Sequence, residues 1–376
     1  MATCSRGLEE VLRAEIVALG HREAASGRGM VSFRGDLGAV YRANLWLRTA
    51  TRVLRLLFEG PAEDREALYE LARKVPWEEV VARGQTIMVD AAGTAPTFRN
   101  TGFASLVVKD AAVDRLRARL GSRPNVDRKS ADIRIHVHLA AARAGIALDS
   151  SGEPLSHRGY RPRGGPAPLS EALAAGVLLL AGYDGTQPLL DPMAGTGTIA
   201  IEAALIATRT APGSRRSFAC ERWPDHQRTS LQRAREAARL LRQPPAAAIV
   251  ASDSEPRAVA AARRNARAAG IGDAVKIEAR DARELVLPGP NTMIVTNPPY
   301  GERLGDPAEL AGFYRELGDA LKRRASGATA WLLAGNSELA KSVGLRASRR
   351  IVLFNGPIEC RLLRFDLYEG SRELDR

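Results

Sequence analysis

The sequence predicts an α/β protein: a mostly parallel, twisted sheet with helices on both faces and a C-terminal antiparallel hairpin, preceded by two smaller α+β units. Three observations lead there. From residue 189 onward short apolar runs alternate with helical runs, the βαβ pattern that a parallel sheet with crossover helices satisfies. The chain then closes on two apolar runs flanking Asn355-Gly356, a hairpin signal. The first 150 residues instead mix short strands with single helices.

In order, residues 7–19 (GLEEVLRAEIVAL) space apolar side chains as a helix does, and Gly20 stops it. A strand at 29–33, a helix at 37–47 and a strand at 53–58 complete a first unit, residues 1–60. The second unit, 61–150, takes a helix at 65–73, a strand at 86–90, a long helix from the polar stretch 97–103 to about Leu120, and strands at 133–139 and 145–149 with a turn near Ala142. Residues 151–168, rich in Gly, Pro and Arg, read as a linker into the last domain, 169–376. The same stretch, with Arg158, Tyr160, Arg161 and Arg163, could equally be a strip of phosphate and base contacts. In the last domain strands fall near 189–191, 247–253, 274–281, 292–297 and 328–334, with helices at 199–208 and 256–269 and the hairpin at 351–354 and 359–365. A helical, arginine-rich insertion at 209–243 is longer than a βα unit needs, and the sequence assigns it no role.

With 376 residues, 45% hydrophobic and 26% charged, the chain can bury real cores. Its formal net charge of +12, almost all from arginine, asks for an anionic partner, nucleic acid first and an anionic membrane surface second. No apolar run approaches the ~20 residues of a membrane span, and the first residues lack a signal peptide's apolar core, so a cytoplasmic location is expected. Cys4, Cys220 and Cys360 are too far apart for a metal knuckle. His136 and His138 would share one face of a strand as half-exposed side chains; no third ligand makes them a metal pair.

The chemistry gathers at strand ends. Asp191-Pro192-Met193-Ala194-Gly195-Thr196-Gly197-Thr198 sits where the first strand of the last domain turns into a helix, and its glycines let backbone approach a ligand. Alone, Gly195 to Ala200 also fits the G-x-G-x-x-A dinucleotide fingerprint. Asp253-Ser254 ends the second strand, where a carboxylate can accept both hydrogens of a ribose diol, and Asp281-Ala282 ends the third, where an acceptor and an amide can meet an adenine edge. With Asp191 placed to meet an ammonium, the set suits S-adenosyl-L-methionine. Asn297-Pro298-Pro299-Tyr300 ends the fourth strand beside that cofactor. An exocyclic nucleobase amine is a poor nucleophile; acceptors from Asn297 and the Pro298 carbonyl would aim its lone pair, Tyr300 would stack on the base, and the prolines would keep the acceptors rigid.

DPMAGTG, SD, RDA and NPPYGERL in this order resemble the class I, Rossmann-like adenosylmethionine-dependent methyltransferases of the N-P-P-Y type. Residues 97–103, Asn125-Val126-Asp127, 131–139 and LSHRGYR at 155–161 are similar to the THUMP RNA-binding family. ATCSRGLEEVLRAEI and GDLGAVYRANLWLRTATRVL resemble the ferredoxin-like module of bacterial 23S rRNA guanine-N2 methyltransferases. The resemblance implies Asn297, Pro298, Pro299 and Tyr300 around a target amine, residues 191–198, Asp253, Ser254, Asp281, Ala282 and Asn297 around the cofactor, and RNA contacts from Arg99, Asn100, Arg158, Tyr160, Arg161 and Arg163. One departure is Ser156-His157-Arg158, where the family often carries a second arginine. The partners it implies are RNA (23S rRNA or its assembly intermediate, alternatively tRNA), with neither membrane nor metal, and a monomeric chain. The expected reaction is methylation of guanine N2. Adenine N6 methylation, a nicotinamide-dependent oxidoreductase and an RNA-binding protein without catalysis stay open.

Overall fold

The structure, a computed structural model, describes residues 1–98, 100–162, 169–299 and 307–368. Arg99, Arg163 and Tyr300, three expected site residues, lie outside the described residues. The element order is β1 (Ala2–Cys4), α1 (Glu9–Ala18), β2 (Ala25–Gly27), β3 (Met30–Ser32), α2 (Leu37–Trp46), β4 (Ala50–Pro61), α3 (Arg65–Lys74), α4 (Trp77–Val80), β5 (Ile87–Thr94), α5 (Thr101–Leu120), β6 (Ile133–Ala140) and β7 (Arg143–Asp149). It continues with α6 (Glu171–Leu180), β8 (Leu189–Asp191), α7 (Thr198–Ala207), α8 (Arg228–Leu240), β9 (Ile249–Asp253), α9 (Pro256–Ala269), β10 (Lys276–Ala279), β11 (Met293–Thr296), α10 (Pro307–Arg324), β12 (Thr329–Ala334), α11 (Ser337–Ser342), β13 (Arg349–Asn355) and β14 (Ile358–Asp366).

Seven strands in the order β2-β3-β1-β4-β7-β6-β5 form the first sheet. The long β4 pairs β1 on one edge and β7 on the other, so the strand that ends the first α+β unit also begins the pairing of the second. Only β5 and β6 run parallel. On β6 the buried residues alternate with Arg134, His136 and His138, so the two histidines share the half-buried face, as their spacing predicts. Burial lowers both imidazole pKa values.

The second sheet has the order β10-β9-β8-β11-β12-β14-β13, parallel from β10 to β12 and antiparallel at β14 and β13. Strand order reverses beside β8, which places a crevice at the carboxyl ends of β8 and β11. Both strands are buried throughout (Leu189-Leu190-Asp191 and Met293-Ile294-Val295-Thr296), as parallel strands covered on two faces must be. Apolar clusters lie on the two sides of this sheet, one around α6 and α7, the other around α10. The caps follow local chemistry. Pro256 opens α9 and Gly270 closes it at φ 72°, while the side chains of Ser170 and Asn100 cap α6 and α5.

Four features depart from the sequence reading. The short strands β1 and β2 and the helix α6 carry no strong periodic signal at their length, and α6 is buried nearly all round, so no polar face marks it. The hairpin loop is Gly356-Pro357, one residue beyond the expected turn, because Asn355 still pairs with Ile358 and Gly356 takes the positive φ (62°). The segment before Arg163 is no solvated linker: Ser151, Leu155, Arg158 and Tyr160 are buried. The insertion folds into a turn at Ala219–Arg222 and α8, and its Phe218, Cys220, Trp223 and Leu231 join the core of the first sheet.

Candidate active site

The turn after β8 is shaped by two glycines with different duties. Gly195 (φ 53°) would carry a Cβ into open space, so the room beside it is free for a ligand. Gly197 (φ 85°) faces α9, where a Cβ would come within 3.0 Å of the Ala262 methyl. The loop is braced from outside: Asp253 Oδ2 accepts from Gly195 N at 2.8 Å, the Ser252 carbonyl accepts from Ala194 N at 2.9 Å, and Asn265 Nδ2 donates to the Thr196 carbonyl at 2.9 Å. Asp253 Oδ1 accepts from Glu255 N at 2.9 Å, and each carboxylate oxygen keeps a lone pair for another donor. Pro192 and Thr198 are buried, Met193 and Thr196 half-buried, and Ser254 is exposed at the rim.

Asp191 is 1% exposed. Its Oδ1 accepts from Thr296 Oγ1 at 2.9 Å and from Met193 N at 3.3 Å. Burial, reinforced by the nearby Asp253 charge, pushes its carboxyl up to about 7 despite those two hydrogen bonds. The Thr296 bond ties the first strand end to the fourth, one residue before Asn297. There the Asn297 Oδ1 is buried with no hydrogen-bond partner among the described residues, although a buried amide oxygen normally finds one. Pro298 is buried, and the Tyr314 hydroxyl of α10 donates to the Pro299 carbonyl at 3.1 Å, fixing the loop from below. The unpartnered acceptor is therefore held in place beside the glycine turn.

Asp281 takes a more engaged position than its sequence context predicts. Its carboxylate accepts from Arg283 N, Nε and Nη2 at 2.7–2.8 Å, and Arg283 reaches on to Glu316 of α10 at 2.8 Å. These bonds to Arg283 hold its carboxyl below the usual aspartate range. Ala282 beside it is buried.

The expected RNA contacts from Arg158, Tyr160 and Arg161 are a correction. Arg158 and Tyr160 are 3% and 4% exposed. Arg158 Nε and Nη2 each lie 3.3 Å from the Glu202 carboxylate of α7, its Nη1 donates to the Leu155 carbonyl, and Tyr160 OH donates to the same carboxylate. Arg161 pairs with the buried Glu171 of α6 at 2.8 Å. A run of Arg and Tyr among glycines looks like a surface strip, but here the buried acids Glu202 and Glu171 draw it inward. Asn100 remains exposed, capping α5. Sequence reasoning missed Thr296, Asn265, Glu202, Arg283 and Tyr314. Thr296, a polar residue in an otherwise apolar strand end, was the one with a visible signal.

The chain's residues 158–364 match the family model described as RMKL-like, methyltransferase domain; residues 1–54 match the RlmL ferredoxin-like domain, and residues 62–149 the THUMP domain. It is 42% identical to the ribosomal RNA large subunit methyltransferase K/L of Syntrophotalea carbinolica over 98% of this chain and 53% of that protein, so the chain spans about half the length of this curated relative. It is 36% identical to the putative RNA methyltransferase slr0064 of Synechocystis over 98% of this chain and 96% of the relative. Its backbone superposes on SMU.472, a putative methyltransferase crystallised with SAH, with a TM-score of 0.88 at 29% identity, covering 99% of this chain and 98% of the other. With its sheet order, its glycine turn and these matches together, the chain belongs to the RMKL-like methyltransferase family, carrying an RlmL-type ferredoxin-like domain and a THUMP domain ahead of the methyltransferase domain.

Proposed function

We propose that the protein transfers a methyl group from S-adenosylmethionine to the exocyclic N2 of a guanine in structured RNA, with 23S rRNA as the substrate, in the cytoplasm. The observation that carries this reading is the buried Asn297 Oδ1 at the end of β11, unpartnered among the described residues, next to the strand end that holds Asp191. Family membership supports it, as do the rRNA methyltransferase name of the larger relative and the SAH in the similar structure.

The residues fit such a cofactor: a buried carboxylate suits an ammonium, Asp253 a ribose diol, and Asp281 with Ala282 an adenine edge. S-adenosylmethionine, when bound, supplies an electrophilic methyl group on a sulfonium. The chain supplies placement. Asn297 Oδ1 and the Pro298 carbonyl would accept hydrogens from the amine and leave its lone pair free for attack, and Tyr300 would stack on the base. Because an amine inside a helix cannot reach this crevice, the target base has to leave its stack. Catalysis is then positioning and electrostatics, and removing the acceptor that positions the amine costs at least about 100-fold in rate.

The test is to incubate the protein with S-adenosylmethionine and under-methylated 23S rRNA, digest the RNA, and identify the methylated nucleoside by mass spectrometry. The reading expects N2-methylguanosine in 23S rRNA, lost with Asn297→Ala while RNA binding persists. N6-methyladenosine, methylation of tRNA alone, or an Asn297→Ala variant working at near wild-type rate would overturn it.

A further inference from the structure

The turn after β10 carries more bonding than a turn requires. Asp281 caps the short helical turn Ala282–Glu284 by accepting from Arg283 N at 2.8 Å, and that bond already serves the turn. The Arg283 side chain then adds a fork, Nε to Oδ1 at 2.8 Å and Nη2 to Oδ2 at 2.7 Å. We propose that Arg283 is the positioning residue that makes this site choose a 6-amino purine over a 6-oxo purine, by holding the Asp281 carboxylate in the orientation that accepts from the adenine amine of the cofactor. The inference deepens the cofactor reading above and rests on it.

β9 and β10 run parallel with Asp253 opposite Ala279, and Arg280 N donates to the Asp253 carbonyl at 3.0 Å, so the acid that suits a ribose and the acid that suits a base leave neighbouring strand ends. A carboxylate offers about four lone pairs. Arg283 takes two on Oδ1 and one on Oδ2, and among the described residues nothing takes the fourth. The next N–H along the chain, that of Ala282, is the first of its turn and has no acceptor inside it. A free acceptor next to a free donor matches adenine, whose amine donates and whose N1 accepts. It opposes a 6-oxo purine, whose O6 accepts and whose N1–H donates, so that each edge group would meet its like. A site that forces such unpaired polar contacts on an analogue rejects it strongly.

The match holds only while the carboxylate keeps its orientation. The Arg283 and Asp281 side chains are 50% and 28% exposed, and a pair this open adds little to stability, so the effect of the fork lies in orientation. A planar guanidinium meets both carboxylate oxygens at once, which an ammonium cannot do. Its far end is tied as well: Arg283 Nη1 donates to Glu316 Oε2 of α10 at 2.8 Å, and two residues earlier on that helix the Tyr314 hydroxyl holds the Pro299 carbonyl. The acid that reads the base and the loop that carries Asn297 are thereby braced by the same helix.

Calorimetry measures the affinity of the whole chain for S-adenosylhomocysteine and for its 6-oxo counterpart, S-inosylhomocysteine, in the wild type and in Arg283→Ala, Arg283→Lys, Asp281→Asn and the double variant Arg283→Ala/Asp281→Asn. The wild type should favour the adenosyl ligand by about 10-fold or more, the worth of a hydrogen bond to a charged group. Arg283→Ala keeps the backbone cap, and should shrink that preference by about 3-fold or more, chiefly by weakening the adenosyl ligand, because binding must then order a freed side chain. Arg283→Lys, with the charge but no fork, should resemble Arg283→Ala. In the Asp281→Asn background, removing Arg283 should leave the preference where it stands. An unchanged preference in Arg283→Ala overturns the inference, as does an equal loss of affinity for both ligands, which marks a structural role. A wild-type preference in Arg283→Lys would assign the effect to charge and overturn the fork. Should the wild type bind both ligands alike, Asp281 does not read the base; should it bind neither, the cofactor reading itself fails. Either result removes the inference.

Discussion

Replacing Arg158 by methionine tests whether the buried Arg158–Glu202 pair holds α7, the helix after the glycine turn, to the chain that leads out of the THUMP domain. The two side chains are 2% and 0% exposed. Losing the guanidinium leaves the Glu202 carboxylate in a dry site with the Tyr160 hydroxyl, 3.3 Å away, as its one donor among the described residues. Breaking one side of a buried pair costs about 3–5 kcal/mol, because the remaining charge is unsolvated and has lost its partner; here the buried Arg48 still compensates part of the Glu202 charge, which puts the cost at the lower end of that range. The variant also removes donors from the Leu155 and Arg48 carbonyls, at about 1 kcal/mol each. The double variant Arg158→Met/Glu202→Leu loses those same two bonds and leaves no stranded carboxylate, while the buried Arg48 loses the Glu202 charge and keeps that of Glu15, so it should lie at least about 2 kcal/mol below wild type and above the single variant. Urea unfolding followed by tryptophan fluorescence reads the difference, since Trp77 and Trp223 report the first core and Trp331 the second. Glu202 sits one turn after Thr198 on α7, so the single variant should also weaken S-adenosylmethionine binding, and the double variant should recover part of it. A single variant within about 0.5 kcal/mol of wild type, or a double variant less stable than the single, would refute the argument.

Asp191, raised to about 7 by burial, binds its proton more tightly folded than unfolded, so stability should fall as pH rises from about 4 to 7 and then level off. Asp191→Asn should flatten that pH profile in thermal melts. A cationic ligand favours the carboxylate, so S-adenosylmethionine affinity in calorimetry should rise between about pH 6 and 8 and lose that dependence in Asp191→Asn. Gly197→Ala combines a left-handed backbone with a Cβ 3.0 Å from the Ala262 methyl; it should cost about 1–2 kcal/mol in chemical unfolding and weaken cofactor binding, whereas an unchanged midpoint would show the turn adjusts freely. RNA affinity should fall steeply as salt rises from low to moderate concentration, and a flat salt response would show that the basic surface is not where RNA docks.

What was legible in the sequence follows from physics that acts locally. The parallel strands announce themselves as short apolar runs ending in Asp191, Asp253 or Asn297, because a strand covered on both faces can be polar only where it leaves the sheet. Glycines mark the cofactor turn because Gly195 and Gly197 need positive φ. The partners that hold the site were not legible. Asn265 contacts the turn across 69 residues and Thr296 reaches Asp191 across 105, and no periodicity or spacing encodes a hydrogen bond between separate elements. Arg158, Tyr160 and Arg161 misled for the same reason. Their composition is that of a surface strip, and only the long-range placement of Glu202 and Glu171 reverses it.

The insertion at 209–243 takes its meaning from the same long-range bonds. Its Arg216 donates to the carbonyls of Ser151, Glu153, Pro154 and His157, stitching down the chain between the two halves. Cys220 N donates to the Ser150 carbonyl at 3.0 Å, Arg222 to the Ala131 carbonyl at 2.9 Å, and Gln85 to the Arg222 carbonyl at 2.7 Å. Tyr41 of α2 bonds both His226 Nδ1 and Gln227 N. Most of these bonds use backbone groups at fixed positions, and Trp223 and Leu231 bury apolar surface against the first core beside them. A flexible tether would let the two halves sample many separations; this bracket permits few. On the proposed function, in which one domain grips RNA and another methylates it, that restriction would let the distance from grip to crevice select which nucleotide of a folded RNA arrives at Asn297.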